Sequence, residues 1–238
     1  MRKKMEQLWT GRFGFRSCAF ATIIGALLLG AIAPGAMAKD EEDAQGIVDK
    51  ARVTLTDFMK DKDYVWLNQN IGKAKGVLIY PQVLKAGFIL GGSGGTGVLL
   101  VKDGATGEWS NPAFYTMGSV SFGLQAGGEA AEVVLLVMSQ KGVDSLLSNK
   151  FKLGVDGSIA LGPVGAGSKA ALTADFVSYS KSKGLYAGMN LDGAVLDVRS
   201  GLNKAYYGKE ATPVDILVKK TVSNKGADPL REELKKAK

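Results

Sequence analysis

Residues 76–101 read GVLIYPQVLKAGFILGGSGGTGVLLV, and the way this stretch is divided decides the fold. Val77-Leu78-Ile79-Tyr80 is a short β-like run, apolar throughout and closed by Pro81. Gly87 to Leu90 and Gly97 to Val101 read as two strands joined by the glycine-rich Gly91-Gly92-Ser93-Gly94-Gly95-Thr96. Short apolar runs bounded by Gly and Pro are strand signals, and their length is too small for helices.

The same manner continues toward the C-terminus. Phe114 to Leu124 is rich in Ser, Thr, Gly and aromatic residues, and Ala131 to Met138 is nearly all apolar, as in a strand covered on both faces. Ser139 is placed to cap a short helix carrying Val143, Leu146 and Leu147. Strand-like segments follow at Ser158–Leu161, Ala171–Ser180, Leu185–Asn190 and Ala194–Arg199, with Asp192-Gly193 as a tight hairpin turn. A Lys-led unit beginning at Lys85 recurs at Lys183, which suggests two related hairpins. Thr212-Pro213 opens a last packed helix through Ile216, Leu217 and Val218. The tail, residues 221–238, is charged and either frays or forms a solvated helix from Asp228-Pro229.

Upstream, Ala44, Ile47, Val48, Ala51, Leu55, Phe58 and Met59 lay one apolar stripe on a helix, and a second short helix buries Tyr64 or Val65, Leu67 and Ile71. Acidic and basic residues are balanced on the polar face of the first, which favours packing on a sheet over lying on a membrane. Many short strands with Gly turns, flanked by terminal helices, make an α+β domain. Its core is a curled antiparallel β-sheet or a barrel.

Residues 1–38 have the parts of a cleavable secretory signal peptide. Arg2, Lys3, Lys4, Arg12 and Arg16 precede the apolar stretch Ala19–Ala33; Pro34 and Gly35 then break any helix, and Ala36 and Ala38 supply the small residues of the cleavage site. Cys18 stands before the apolar stretch, where a lipoprotein cysteine would follow it. On this reading residues 39–220 are one domain in an exported, periplasmic protein. Cleavage leaves 25 Lys/Arg against 22 Asp/Glu, so the net charge falls from +7 to +3 and the only cysteine is lost. A net of +3 without a basic stripe gives no footprint for nucleic acid.

Tempting motifs fail on context. Gly92-Ser93-Gly94-Gly95-Thr96-Gly97 fits G-x-G-x-x-G, but strand-like Val98–Val101 follows where a dinucleotide site needs a helix. Ser178-Tyr179-Ser180-Lys181 fits S-x-x-K, yet the period-two alternation sends Ser178 and Lys181 to opposite faces. The chain has no His, which removes Ser-His-Asp, Cys-His and His-ligated zinc sites together; no metal or cofactor is expected. Glu129 and Glu132 are the best carboxylates for acid–base work, and with no partner motif the sequence argues against an enzyme.

Several segments together resemble the SYLF domain family: Lys73–Val77 with Lys85–Phe88, Gly94–Leu99, Trp109–Ala113, Gly123–Gly127, Gly162–Gly165, Tyr179–Gly188 and Tyr206–Gly208. Order and spacing agree over about residues 42–218. The resemblance implies a membrane-associated module that binds anionic phospholipid. Some eukaryotic members also bind actin, which is not expected of an exported protein. Lys73, Lys75 and Lys85 around the first hairpin, with Lys181 and Lys183 before the second, are the candidate lipid-binding set. Clustered ammonium groups gain about 1 kcal/mol each against anionic lipid. Trp66, Trp109, Phe114 and Tyr115 line an acyl-chain pocket or are core. The competing reading is a cell-envelope structural or protein-interaction module with incidental lipid contact and an unknown protein partner.

Overall fold

The structure is a computed structural model that describes residues 34–87, 90–122, 127–163, 173–183 and 191–237. The basic and apolar parts of the signal-peptide reading, and the strand expected at Leu185–Asn190, lie outside the described residues.

Helix α1 runs Pro34–Lys60. Its described part begins ten residues before the apolar stripe does. Pro34 and Gly35 are helical where the sequence predicts a break, and Ala36 and Ala38 follow them in the same helix. Ala44, Val48, Ala51, Leu55 and Phe58 are fully buried along one face. Asp61 then caps a 3-10 turn with its side chain, accepting from the N–H of Asp63, and α2 follows at Val65–Asn70. Tyr64, Leu67 and Ile71 are buried and Val65 is exposed.

The strands among the described residues are β1 (Gly76–Gly87), β2 (Leu90–Val101), β3 (Ala113–Phe122), β4 (Gly127–Val137), β5 (Lys150–Lys152), β6 (Ile159–Leu161), β7 (Phe176–Lys183) and β8 (Val195–Val198). They form one sheet in the order β5-β8-β3-β2-β1-β4-β7-β6. Every pairing is antiparallel except β6 with β7. The two edge strands are joined by residues 153–158, and Leu153 bridges to Gly157 within that link. That short link holds the two edges near each other, so the sheet is curled, the expected α+β architecture in the form of a half-barrel with helices at both ends of the chain. The first arm of the second Lys-led unit, from residue 184 to residue 190, falls outside the described residues. Strand β8 pairs with β3 and β5, far across the sheet from β7.

Both faces of the sheet's centre are covered. Val77, Ile79, Val98, Leu100, Phe114, Val134, Leu136, Val177 and Tyr179 pack outward against α1, α2, α4 (Ser200–Tyr207) and α5 (Asp228–Lys235). Leu78, Tyr80, Leu99, Tyr115, Met117, Val133, Leu135 and Phe176 point into the curl. Helix α3 (Gln140–Leu146), capped by Ser139 as expected, and the π-helical turn Val214–Val218 close that side. Two covered faces explain the unbroken apolar runs in β1 and β4. Trp66, Trp109, Phe114 and Tyr115 are all core.

The glycine-rich segment is not a loop. Residues 91–96 lie within β2, with 91–95 paired to β1 on one side and 91–96 to β3 on the other. Pro81 does not end β1 either. It sits in a bulge between Ile79 and Val83, where one extra residue on β1 opposes β2 and β4. A bulge is one of the few places a strand accepts a proline, because the ladder hydrogen bond is already lost. The bulge crowds β2. A Cβ at Gly95 would fall 2.3 Å from the Gln82 carbonyl oxygen, and one at Gly97 would fall 2.2 Å from that of Ile79.

The link between sheet edges is tied to α3 through Asp175. Its carboxylate accepts from Ser139 Oγ at 2.5 Å and from Ser158 N and Oγ at 3.0 and 2.9 Å. The Ser139 bond, partly opposed by burial, leads in holding this carboxyl below the ordinary carboxylate range. A lowered folded pKa adds stability that is present above the unfolded value and is lost as pH falls through the folded one. Asp175→Asn is expected to cost about 2 kcal/mol at pH 7 and to flatten the acid limb of stability. Urea midpoints at pH 7 and pH 2.5 check this. Equal acid sensitivity in both proteins would refute it.

Candidate functional site

The helices do not cover the whole outer face. Their last contacts with it are Thr54 Oγ1, which donates to Glu132 at 2.9 Å; Lys181, which pairs with Asp61 at 2.7 Å; and Tyr64 OH, which donates to the Ser180 carbonyl at 3.0 Å. Beyond that line none of the described helices covers the outer face of β1, β2, β3 and β4. The bulge matters here, because the extra residue reverses β1's alternation. Leu78 and Tyr80 point inward before it and Val83 does so after it, so Leu84 and Ala86 face outward.

Two cross-strand rows result. Val120, Gly92, Ala86 and Gly128 form the outer one, and Gly118, Gly94, Leu84 and Ala130 the next, with Lys183 beside Ala130. Between Val120 and Ala130 these rows hold no charged residue. Leu84 is 56% exposed and Val120 75%. The glycines of the rows have no steric need to be glycine. A Cβ at Gly92 or Gly94 would meet backbone at 3.5 Å, and at Gly118 or Gly128 at 4.0 Å, which are ordinary contacts. Glycine inside a strand costs roughly 0.5–1 kcal/mol relative to alanine, so the bareness of this face is not there for the fold.

The five lysines do not form one cluster. Lys73 and Lys75 are exposed just before β1, with Lys73 Nζ donating to Asn70 Oδ1 at 3.3 Å. Lys85 is ten strand residues further on, about 30 Å away at some 3.3 Å per residue. Lys85 faces inward opposite Glu129, whereas Lys181 points outward to Asp61. The hydrogen bond from Lys181 is the main cause that holds the Asp61 carboxyl below its usual range, and it raises the lysine in turn. Only Lys181 and Lys183 border the bare rows. Leu84 and Val120 were not anticipated. The available signal was the uncharged sequence of the strand ends, which an unseen bulge made impossible to assign to a face.

Glu129 and Glu132 sit three residues apart on one strand and so face opposite sides of the sheet, which denies them a shared substrate. Ser178 and Lys181 also diverge, Ser178 Oγ lying 3.3 Å from the Ala160 carbonyl on the inner side. Among the described residues no helix is long and apolar enough to cross a membrane.

Residues 118–237 match the protein family described as Ysc84, Las17-binding protein actin regulator. The chain belongs to the Ysc84/SYLF family. It is 33% identical over 195 residues to protein YSC84 of Saccharomyces cerevisiae, covering 76% of this chain and 41% of that protein. It is 32% identical over 195 residues to LAS seventeen-binding protein 3 of the same yeast, covering 76% and 42%. With SH3 domain-containing YSC84-like protein 1 of Rattus norvegicus it shares 30% over 152 residues, covering 62% and 44%. The chain thus spans less than half the length of these relatives. No solved structure matches it. The Ysc84/SYLF family is one of regulators rather than catalysts.

Proposed function

We propose that this Ysc84/SYLF domain is a non-enzymatic module that binds an anionic phospholipid surface, acting in an exported protein cleaved after Ala38. The observation that carries the reading is the bare outer face, with Leu84 and Val120 standing out of uncharged glycine rows and Lys181 and Lys183 at its border. An apolar face bordered by a strand that carries lysines suits the boundary between acyl chains and anionic head groups. The names of the relatives attach Las17 binding and actin regulation to those longer proteins. An exported chain meets neither, so that activity is not transferred.

Wild-type protein is expected to sediment with vesicles containing phosphatidylglycerol, less so as salt rises, and weakly with neutral vesicles. Leu84→Asp combined with Val120→Asp should lower vesicle affinity about 100-fold, from the apolar area withdrawn from lipid. Absence of binding to either vesicle by the wild type would sink the proposal. Undiminished binding by the double variant would move the contact elsewhere. N-terminal sequencing of the protein from its host tests the cleavage.

A further inference from the structure

A groove opens beside the bare face, between the end of α1, α2 and the end of α5. It has a volume of about 590 Å3, and its lining includes Met59, Lys60, Asp61, Lys62, Val65, Gln69 and Glu233. A volume of this size accommodates a ligand of drug-like dimensions. Its chemistry is divided. Met59 is half-buried and Val65 is 45% exposed, which gives an apolar floor. Both carboxylates are already neutralised within the protein, Asp61 by Lys181 and Glu233 by Lys236, each at 2.7 Å. Lys60 and Lys62 are exposed, and neither makes an ion pair among the described residues. The Met59 carbonyl at the end of α1, which would repel an anion, is taken up by Asn68 Nδ2.

We propose that this groove holds the phosphodiester head group of a single anionic phospholipid, with Lys60 and Lys62 at the phosphate and the glycerol end over Met59 and Val65. The assignment rests on the lipid-surface reading above and adds a discrete site to it. Position supports it. Asp61 belongs to the groove, and its partner Lys181 belongs to the strand bordering the bare rows, so a head group seated here lies at the margin of the face that meets the membrane. Charge supports it too, because the two uncommitted lysines flank Asp61 in the sequence and line one groove with an apolar floor. That combination suits a molecule with one anionic end and one apolar end better than a free ion.

The test uses the full chain and monomeric short-chain lipid, so that groove and vesicle surface are read apart. Dihexanoyl phosphatidylglycerol below its micelle concentration is expected to bind saturably and to shift the amide resonances of Lys60, Lys62, Asn68 and Gln69. Lys60→Ala with Lys62→Ala should weaken it about 30-fold, from the loss of two charges at about 1 kcal/mol each. Dihexanoyl phosphatidylcholine and inorganic phosphate should both bind at least tenfold more weakly than the anionic lipid. Equal binding of phosphatidylcholine overturns the charge assignment, and equal binding of phosphate overturns the lipid assignment. Wild type that binds anionic vesicles without these shifts overturns the groove and leaves the surface reading intact. Wild type that binds no vesicle removes the surface reading itself.

Discussion

Gly97→Ala is expected to lose about 3 kcal/mol of stability and to melt about 6–12 °C lower. The added methyl would lie 2.2 Å from the Ile79 carbonyl oxygen and 2.6 Å from the ring of Tyr80. Neither neighbour can retreat. Ile79 is a fully buried backbone position in β1, which pairs on both sides, and Tyr80 is fully enclosed in the curl. Relief requires moving the bulge, and with it the register of four strands. Gly94→Ala is the matched control in the same strand, since its Cβ would meet the Met117 carbonyl at 3.5 Å. That variant should change stability by under about 1 kcal/mol, because alanine also restricts the unfolded chain. Thermal or urea unfolding of the pair decides the matter. If both variants behave alike, the distinction between glycines required by the bulge and glycines of the bare face collapses.

That distinction is also where the sequence stopped being readable. Features set by neighbours in the chain were legible: the stripe from Ala44 to Phe58, the Ser139 cap and the doubly covered run in β4. Each follows from a local period or a side chain bonding a backbone group a few residues away. Glycine is a turn signal, so residues 91–96 predict a loop, yet here Gly95 and Gly97 answer a bulge on the adjacent strand. The bulge is announced only by Pro81, which the same rules take for a strand end. Everything beyond it inherited the error, since reversed alternation decides whether Leu84 or Lys85 faces outward. Helix α4 escaped notice for a related reason. Its Asn203, fully buried, accepts from the Phe114 N–H at 2.9 Å, a partner distant in sequence. The candidate lysines were grouped by flanking the same kind of hairpin, and pairing across the sheet separated them.

The C-terminal segment gives the other large effect. The sequence left residues 221–238 as a charged tail, frayed or solvated, because Lys, Arg, Glu and Asp dominate it. The structure makes Asp228–Lys235 a helix with Leu230 and Leu234 fully buried, one turn apart, in the same cluster as Ala44 and Val48 of α1. Arg231 Nε donates to the Trp109 carbonyl at 2.9 Å and Lys235 pairs with Glu108 at 3.0 Å, which locates the helix against the segment after β2. Truncating a buried leucine costs about 2–5 kcal/mol, and two that share one pocket do not add fully. Leu230→Ala with Leu234→Ala is therefore expected to cost about 5 kcal/mol, a third or more of the stability of an ordinary domain. Lys235→Ala, which removes only half-exposed ion pairs, should change it by under about 1 kcal/mol. Amide exchange adds a readout that a solvated helix would not produce. In the leucine double variant the amides of Ala44 and Val48 should exchange faster, because α1 loses the layer that covers it. Unchanged stability and unchanged protection in that variant would return α5 to the solvent.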